Sequence, residues 1–233
     1  MNSDGGLFDV DSSLIAVAHE LKSPLSLMRQ LALYLDDNLE SNELKQIAQQ
    51  INLTSERGLH LVNDLTKIAR LQDAMFELEP INPYKICDEV LYELRTSAKL
   101  KHKKLNYTAS TKPKLAVANP ELLSSVIYNF CDNALHYSDS DYTSQLTVKT
   151  AGNCVRVAVR DFGPSLPIKT WRAVKNANVY PQQISSRPGS SGLGLFIAGR
   201  FAKVMGANLG AIRHRDGTTF YIDLQKSTQL SLL

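Results

Sequence analysis

Four short stretches of this chain hold side chains whose types and spacing could do chemistry. In AVAHELKSPLS, His19 stands beside Glu20. A neutral imidazole nitrogen is nucleophilic near neutral pH, and an adjacent carboxylate can take a ring proton or hold one tautomer. A lone helical histidine is more often a surface or core residue, so this pair says little by itself. In NFCDNALHY, Asn129 and Asn133 are four residues apart on an expected helix, which puts both amides on one face. Their carbonyl oxygens are hard, neutral ligands that suit Mg2+, which also keeps waters and takes phosphate oxygens; the plainer alternative is a cap or a hydrogen bond to a sheet. In DFGPSLP, Asp161 ends a strand rich in Val and Ala. An ionised carboxylate only accepts hydrogen bonds, and Gly163 lets backbone come close; a turn-forming Asp is the common alternative. In GSSGLGL, Gly192 and Gly194 open a further helix, whose first N–H groups and dipole attract phosphate. Capping and close packing would use the same glycines.

The rest of the chain must position these groups. It has 233 residues, 43% hydrophobic and 21% charged, which suits one large globular domain or two small ones. A formal net charge of +3 is too small to argue for nucleic acid or an anionic membrane surface. No apolar run approaches the ~18 residues of a membrane-spanning helix, and the polar, acidic start lacks a signal-peptide core. Cys87, Cys131 and Cys154 are scattered and odd in number. They fit free thiols in a reducing compartment better than a disulfide framework or a metal cluster. The chain therefore reads as cytoplasmic.

Residues 1–11 lack periodicity and are expected to form a disordered lead. Residues 12–72 read as a helical hairpin. Leu14, Ala18, Leu21, Leu25, Met28, Ala32 and Leu35 alternate in steps of four and three, and Leu44, Ile47, Ile51, Thr54, Gly58, Leu61, Leu65 and Ile68 form a second seam. Leu27, Leu31, Leu33, Leu53 and Val62 fall outside both, more apolar surface than one partner covers. Two hairpins packing as a dimeric four-helix bundle would bury it. On this register His19 faces out of the bundle. Pro24 lacks an N–H and crowds the turn at Glu20, which predicts a kink; Gly58, roughly opposite, would leave room for it. Residues 73–82, with Pro80, read as a hinge-like linker with an edge strand near residues 75–79.

Residues 83–226 alternate between helical and strand patterns. Helices are expected over residues 83–99, 120–137 and 192–205. Strands are expected over 105–109, 114–117, 146–150, 154–160, 209–213 and 218–224, with tight turns at Gly152-Asn153 and Asp216-Gly217. The basic run from Lys99 to Lys104 fits a solvated helix end. Residues 166–191 are long and irregular, and the tail, residues 227–233, is expected to be loose from Gln225 on.

In this order and at these distances, the four stretches resemble the H, N, G1 and G2 boxes of the sensor histidine kinases, over residues 14–224. The resemblance implies an α+β chain: a helical hairpin forming a dimeric four-helix bundle, then an α/β sandwich with a mixed sheet. The latter is the ATP-binding (GHKL, Bergerat) fold also used by gyrase, MutL and heat-shock chaperones. It implies autophosphorylation of His19 with ATP and Mg2+, transfer to an aspartate of a response-regulator receiver domain, and a homodimer. The basic position at His136 and the aromatic at Tyr137 would lie near phosphates and nucleotide. Asp161 would accept a hydrogen bond from the adenine amine, where guanine has a carbonyl. Gly192, Leu193 and Gly194 would meet the phosphates at a helix start, with Lys169, Arg172, Lys175 and Arg187 in the ATP lid before them. Trp171 and Tyr180 are the nearest candidates for the lid's aromatic. Ser23 takes the place of the Thr or Asn that orients water when such proteins dephosphorylate their regulator; serine lacks the methyl that restricts the threonine rotamer, so a weak phosphatase is expected.

Two positions depart from the family pattern: Ser165 and Ser190 stand where glycines are usual. A GHKL-type ATPase and a degenerate nucleotide-binding scaffold are the alternatives. The ATPases carry an acid one turn before the metal-binding Asn, where this chain has Asn129, which cannot act as a base. Members of the family often carry a membrane sensor ahead of this core, so an upstream sensor outside this chain is possible.

Overall fold

The computed structural model describes residues 7–35, 41–71, 76–109, 114–139, 141–175 and 193–229, without the side chains of residues 7–17, 19, 20, 109 and 175. The chain divides into two compact units, Met1–Arg70 and Leu71–Leu233.

The first unit is built on two long helices, α1 (Leu7–Leu33) and α2 (Ser41–Arg70). Helix α1 takes in residues 7–11, which the aperiodic sequence had assigned to a disordered lead. The helix continues through Pro24. Along α2 the expected seam is half-buried from Ile47 through Ile51, Thr54, Gly58, Leu61 and Leu65 to Ile68, whereas Leu44 at its start is exposed and Leu53, Ser55, His60 and Lys67 beside it are also half-buried. The half-buried residues of α1 depart from the expected seam. Leu21, Pro24, Met28 and Leu31 are half-buried, whereas Ala18 and Ala32 are exposed and Leu25 is 60% exposed. The cause is at Pro24, whose ring lies 3.9 Å from where a Cβ on Gly58 would sit. With Pro24 turned toward α2, Leu25 is carried about 100° around the helix and away from it. Leu25, Leu27, Leu33, Leu59 and Val62 are left exposed.

The second unit is a mixed sheet with helices packed against it. Its elements are β1 (Glu79–Ile81), α3 (Pro83–Leu100), β2 (Lys104–Ala109), β3 (Ala116–Ala118), α4 (Pro120–Tyr137), β4 (Thr143–Ala151), β5 (Cys154–Arg160), α5 (Ile168–Lys175), α6 (Leu193–Val204), β6 (Asn208–His214) and β7 (Gly217–Lys226). The sheet order is β1-β3-β7-β5-β4-β2, with β6 also paired to β7. Among the described residues only β2 and β4 run parallel. Local signals explain the helix starts. The side chains of Asn82 and Asn119 accept from the N–H groups of Tyr84 and Leu122, both at 3.1 Å, and a proline follows each cap.

Register then fixes the core. Val155, Val157 and Val159 of β5 stand opposite Leu224, Ile222 and Phe220 of β7, and all six are buried. Alternate residues of the same strands form the other face, where Arg156 makes a forked ion pair with Asp223 at 2.6 and 2.7 Å. Phe130 of α4 stacks on Phe220, with ring centroids 5.8 Å apart. The edge strand lies at Glu79–Ile81, displaced from the expected residues 75–79. Part of the irregular stretch is helical, α5, and Gln225 and Lys226 belong to β7, where they pair with β3. Ser227 beyond them is buried and donates its N–H to Leu115 O at 2.9 Å. No helix among the described residues is long and apolar enough to cross a membrane.

Gly58 generates a prediction. An added Cβ would make ordinary contact with Pro24, so the glycine is not required for room. Gly58→Ala should therefore stabilise the protein by about 0.5–1 kcal/mol, the helix-interior difference between the two residues. Urea unfolding checks this; a loss of stability would show that α2 needs the glycine at this contact.

Candidate functional site

Helix α4 is the wall of the site. Its buried residues include Leu122, Leu123, Val126, Ile127, Phe130, Ala134 and Leu135. Asn129, Asn133 and Tyr137 recur every four residues and are half-buried, and His136 beside them is exposed. These four form the stripe that the core does not take. Asn129 donates from Nδ2 to Ser125 O at 2.9 Å. That turns its carbonyl Oδ1 toward the first turn of α6, where it lies 2.8 Å from the place of a Cβ on Gly194. Gly194 thus lets α6 begin against the Asn129 amide.

Asp161 directly follows β5 and is 1% exposed. It continues the pairing with β7: Asp161 N donates to Thr218 O at 2.9 Å, and Thr218 N donates back to Asp161 Oδ1 at 3.0 Å. A buried carboxylate needs such a donor to offset its lost hydration. Gly217 makes the approach possible. It has φ +134°, and a Cβ there would collide with the Asp161 carbonyl and lie 2.8 Å from Oδ1.

The chain then turns against the C-terminal end of α4. Phe162 N donates to Ser138 Oγ at 3.0 Å, and Asp139 N donates to Phe162 O at 3.0 Å. Ser138 Oγ also meets Ser144 Oγ at 2.7 Å, with both residues buried. Gly163 passes so close to Tyr137 O that a side chain there would overlap that backbone atom. Lys103 Nζ donates to Ser138 O, and Lys101 Nζ lies 3.3 Å from Asp132 Oδ1. Two lysines of the basic run thus tie the start of β2 to α4.

Glycines therefore bring two stretches onto α4, Gly163 at Tyr137 and Gly194 at Asn129, while Gly217 meets Asp161 at the end of β5. Leu193, the first residue of α6, is buried. Trp171 on α5, one of the two aromatics expected for the lid, is half-buried and donates its indole N–H to Ala211 O at 2.9 Å. Lys169 and Arg172 are exposed on the same helix. Arg187, Gly192, Ser190 and Tyr180 lie outside the described residues. His19 and Glu20 lie on α1 of the other unit, with side chains outside the described residues; Ser23 and Lys22 there are exposed.

The donor set fits Mg2+ by chemistry: two neutral amide oxygens on neighbouring turns of one helix. Among the described residues no three His, Cys, Asp or Glu side chains gather to hold a metal. Burial, reinforced by Asp88, pushes the Cys87 thiol up to about 12, so it stays protonated and unreactive near neutral pH. Burial and Arg160 lower the pKa of His214, against the opposing pull of Asp216 and Asp161. Sequence reasoning missed Thr218 and Ser138, which orient the G1 stretch. The only sequence signal was Asp216-Gly217, read simply as a hairpin turn.

Residues 118–228 match the model of the histidine kinase-, DNA gyrase B- and HSP90-like ATPase family. The chain is 25% identical to hybrid signal transduction histidine kinase K of Dictyostelium discoideum, over 94% of this chain and 20% of that protein. It thus spans about a fifth of that relative's length. Full-length ShkA, solved in complex with AMPPNP, superposes with a TM-score of 0.62 at 19% identity, over 96% of this chain and 47% of that one. ThkA, solved in complex with the response regulator protein TrrA, gives 0.59 at 16% identity, over 91% and 60%. At these identities the structural likeness is one of fold.

The glycine contacts rank two substitutions. At Gly163 the obstacle is backbone, so Gly163→Ala should destabilise by about 1–3 kcal/mol. At Gly194 the obstacle is the end of the Asn129 side chain, which can swing aside. Gly194→Ala should therefore cost less in denaturant unfolding, and the reverse ranking would contradict the packing described.

Proposed function

We propose, on the premise that this chain carries the catalytic core of a sensor histidine kinase, that it is an ATP-dependent protein-histidine kinase which phosphorylates His19 and passes the phosphoryl group to an aspartate of a response-regulator receiver domain. The observation that carries this reading is the junction on α4. It joins the α4 stripe that carries Asn129 and Asn133 to the segment after Asp161, whose buried carboxylate accepts from Thr218 N–H, within a single unit. The complex of ShkA with AMPPNP supports a nucleotide as ligand, and that of ThkA with TrrA supports a regulator as partner.

In this mechanism Asp161 accepts a hydrogen bond from the adenine amine. Guanine presents a carbonyl there, which an ionised carboxylate repels. The start of α6 offers N–H groups and its dipole to the phosphates, and Lys169, Arg172 and Arg187 add positive charge. Mg2+, when bound, would be held by Asn129 and Asn133 and would neutralise phosphate charge. A ring nitrogen of His19 forms a bond to the γ-phosphorus as the bond to the β–γ bridging oxygen breaks, and ADP leaves with that electron pair. Glu20 holds the proton on the other ring nitrogen and so keeps the attacking one unprotonated. The exposed leucines of the hairpin supply a homodimer interface. Ser23 would orient water for a weak reverse dephosphorylation. Hydrolysis of ATP as the main reaction lacks support, because the amide at Asn129 is no general base.

Incubation with γ-labelled ATP tests the reading. Wild type should acquire an acid-labile label, and His19→Gln should lose it while binding ATP as before, since the nucleotide site belongs to the other unit. Label mapping to Asp, Ser or another His would overturn the assignment. Asp161→Asn keeps an oxygen for Thr218 N–H but can present a donor to the adenine amine. Its ATP affinity should fall by about 1–3 kcal/mol in calorimetry, and an unchanged affinity would remove Asp161 from the base contact.

A further inference from the structure

The segment after Asp161 is fastened to the β6–β7 turn from two sides. Ser165 Oγ donates to His214 O and lies 3.2 Å from Arg215 O. Next to it, Leu166 N donates to Thr218 Oγ1 at 3.2 Å, and Leu166 O accepts from Arg213 Nε at 2.8 Å. From the other side, Arg160 donates through Nη2 to Asp216 Oδ1 at 2.7 Å and through Nη1 to Asp161 O. Its guanidinium also lies 4.5 Å from the centre of the Phe162 ring. Between the two, Gly217 presses against Asp161 with no room for a Cβ.

The ladder of a hairpin fixes its register but not its lean against a neighbouring loop. That lean matters here, because Thr218 N–H is the donor that holds Asp161 Oδ1 and lies one residue past Gly217. A small tilt of the turn would lengthen that bond and let the carboxylate rotate. Ser165 and Arg160 are the side chains that bond the turn itself, while Arg213 and Thr218 reach from the flanking strands to Leu166. Ser165 is also where the chain departs from the resembled motif, and a glycine there would offer no hydroxyl to the turn.

We propose that Ser165 and Arg160 are positioning residues that clamp the His214–Gly217 turn onto Asp161 and so fix the carboxylate that reads the nucleotide base. This rests on the assignment of Asp161 given above. Ser165 is half-buried at a turn whose carbonyls water can reach. Removing its hydroxyl should therefore change positioning more than overall stability.

The test uses the full chain as wild type, Ser165→Ala, Ser165→Thr and Arg160→Lys. The first readout needs no nucleotide: amide hydrogen exchange at Thr218 and Leu166. Ser165→Ala should speed exchange at both, Ser165→Thr should restore the wild-type rates, and Arg160→Lys, which cannot fork, should speed exchange at Thr218. The second readout is ATP affinity. Ser165→Ala should weaken it about threefold to tenfold, the worth of one hydrogen bond, with Ser165→Thr within about twofold of wild type. Wild-type exchange rates in both Ser165→Ala and Arg160→Lys would overturn the clamp. If wild type bound no adenine nucleotide, the assignment of Asp161 would fail, and the exchange rates would still decide whether the clamp exists.

Discussion

Thr218 N–H lies 3.0 Å from Asp161 Oδ1, and the construction of the second unit converges on that bond. Burying a carboxylate is unfavourable unless donors meet it. Here the donor is the next backbone group of a strand pair already in register: Val155, Val157 and Val159 against Leu224, Ile222 and Phe220. The apolar alternation of β5 and β7 buries one face of the sheet, and the same register delivers Thr218 to Asp161. Gly217 admits the approach because its φ of +134° and missing side chain let the turn touch the Asp161 backbone. The backbone of the acceptor is thus set by the core, and the proposed clamp acts on the orientation of its carboxylate.

Helix α4 extends that constraint. Its apolar side is absorbed by the sheet and by α3 and α6, leaving a polar stripe at Asn129, Asn133 and Tyr137. Gly163 and Gly194 hold two other stretches against this helix, at its C-terminal end and two turns earlier. These glycines read in the sequence as openings for a ligand. In the structure their immediate partners are Tyr137 O and Asn129 Oδ1, so their first effect is to bring protein to protein. In the proposed reaction the nucleotide site and His19 belong to different units, which makes phosphoryl transfer an encounter between them.

Much of this was legible because it rests on local signals. Asn119-Pro120 starts α4 as read, since a cap and a fixed φ act within one turn. The β4–β5 hairpin was visible in strict alternation around Gly152-Asn153. The mixed sheet came from the resemblance and agrees with the pairing found. What was not legible depends on tertiary contact. Helix α5 has only eight residues and is anchored by Trp171 on Ala211 O, a partner forty residues away. The phase of α1 turned on the meeting of Pro24 with Gly58 across the hairpin, which a heptad count does not contain. Thr218 and Ser138 carry no motif; each matters only because pairing or capping brings it to the G1 stretch.

The central claim is that a backbone-held carboxylate at Asp161 reads the exocyclic amine of adenine. The most direct measurement compares ATP with inosine triphosphate by calorimetry on the wild-type chain, because the two differ only in replacing that amine and its ring partner by an amide carbonyl and N–H. The account predicts that inosine triphosphate binds about fivefold to a hundredfold more weakly, the worth of a charge-assisted hydrogen bond. Equal affinities would contradict it.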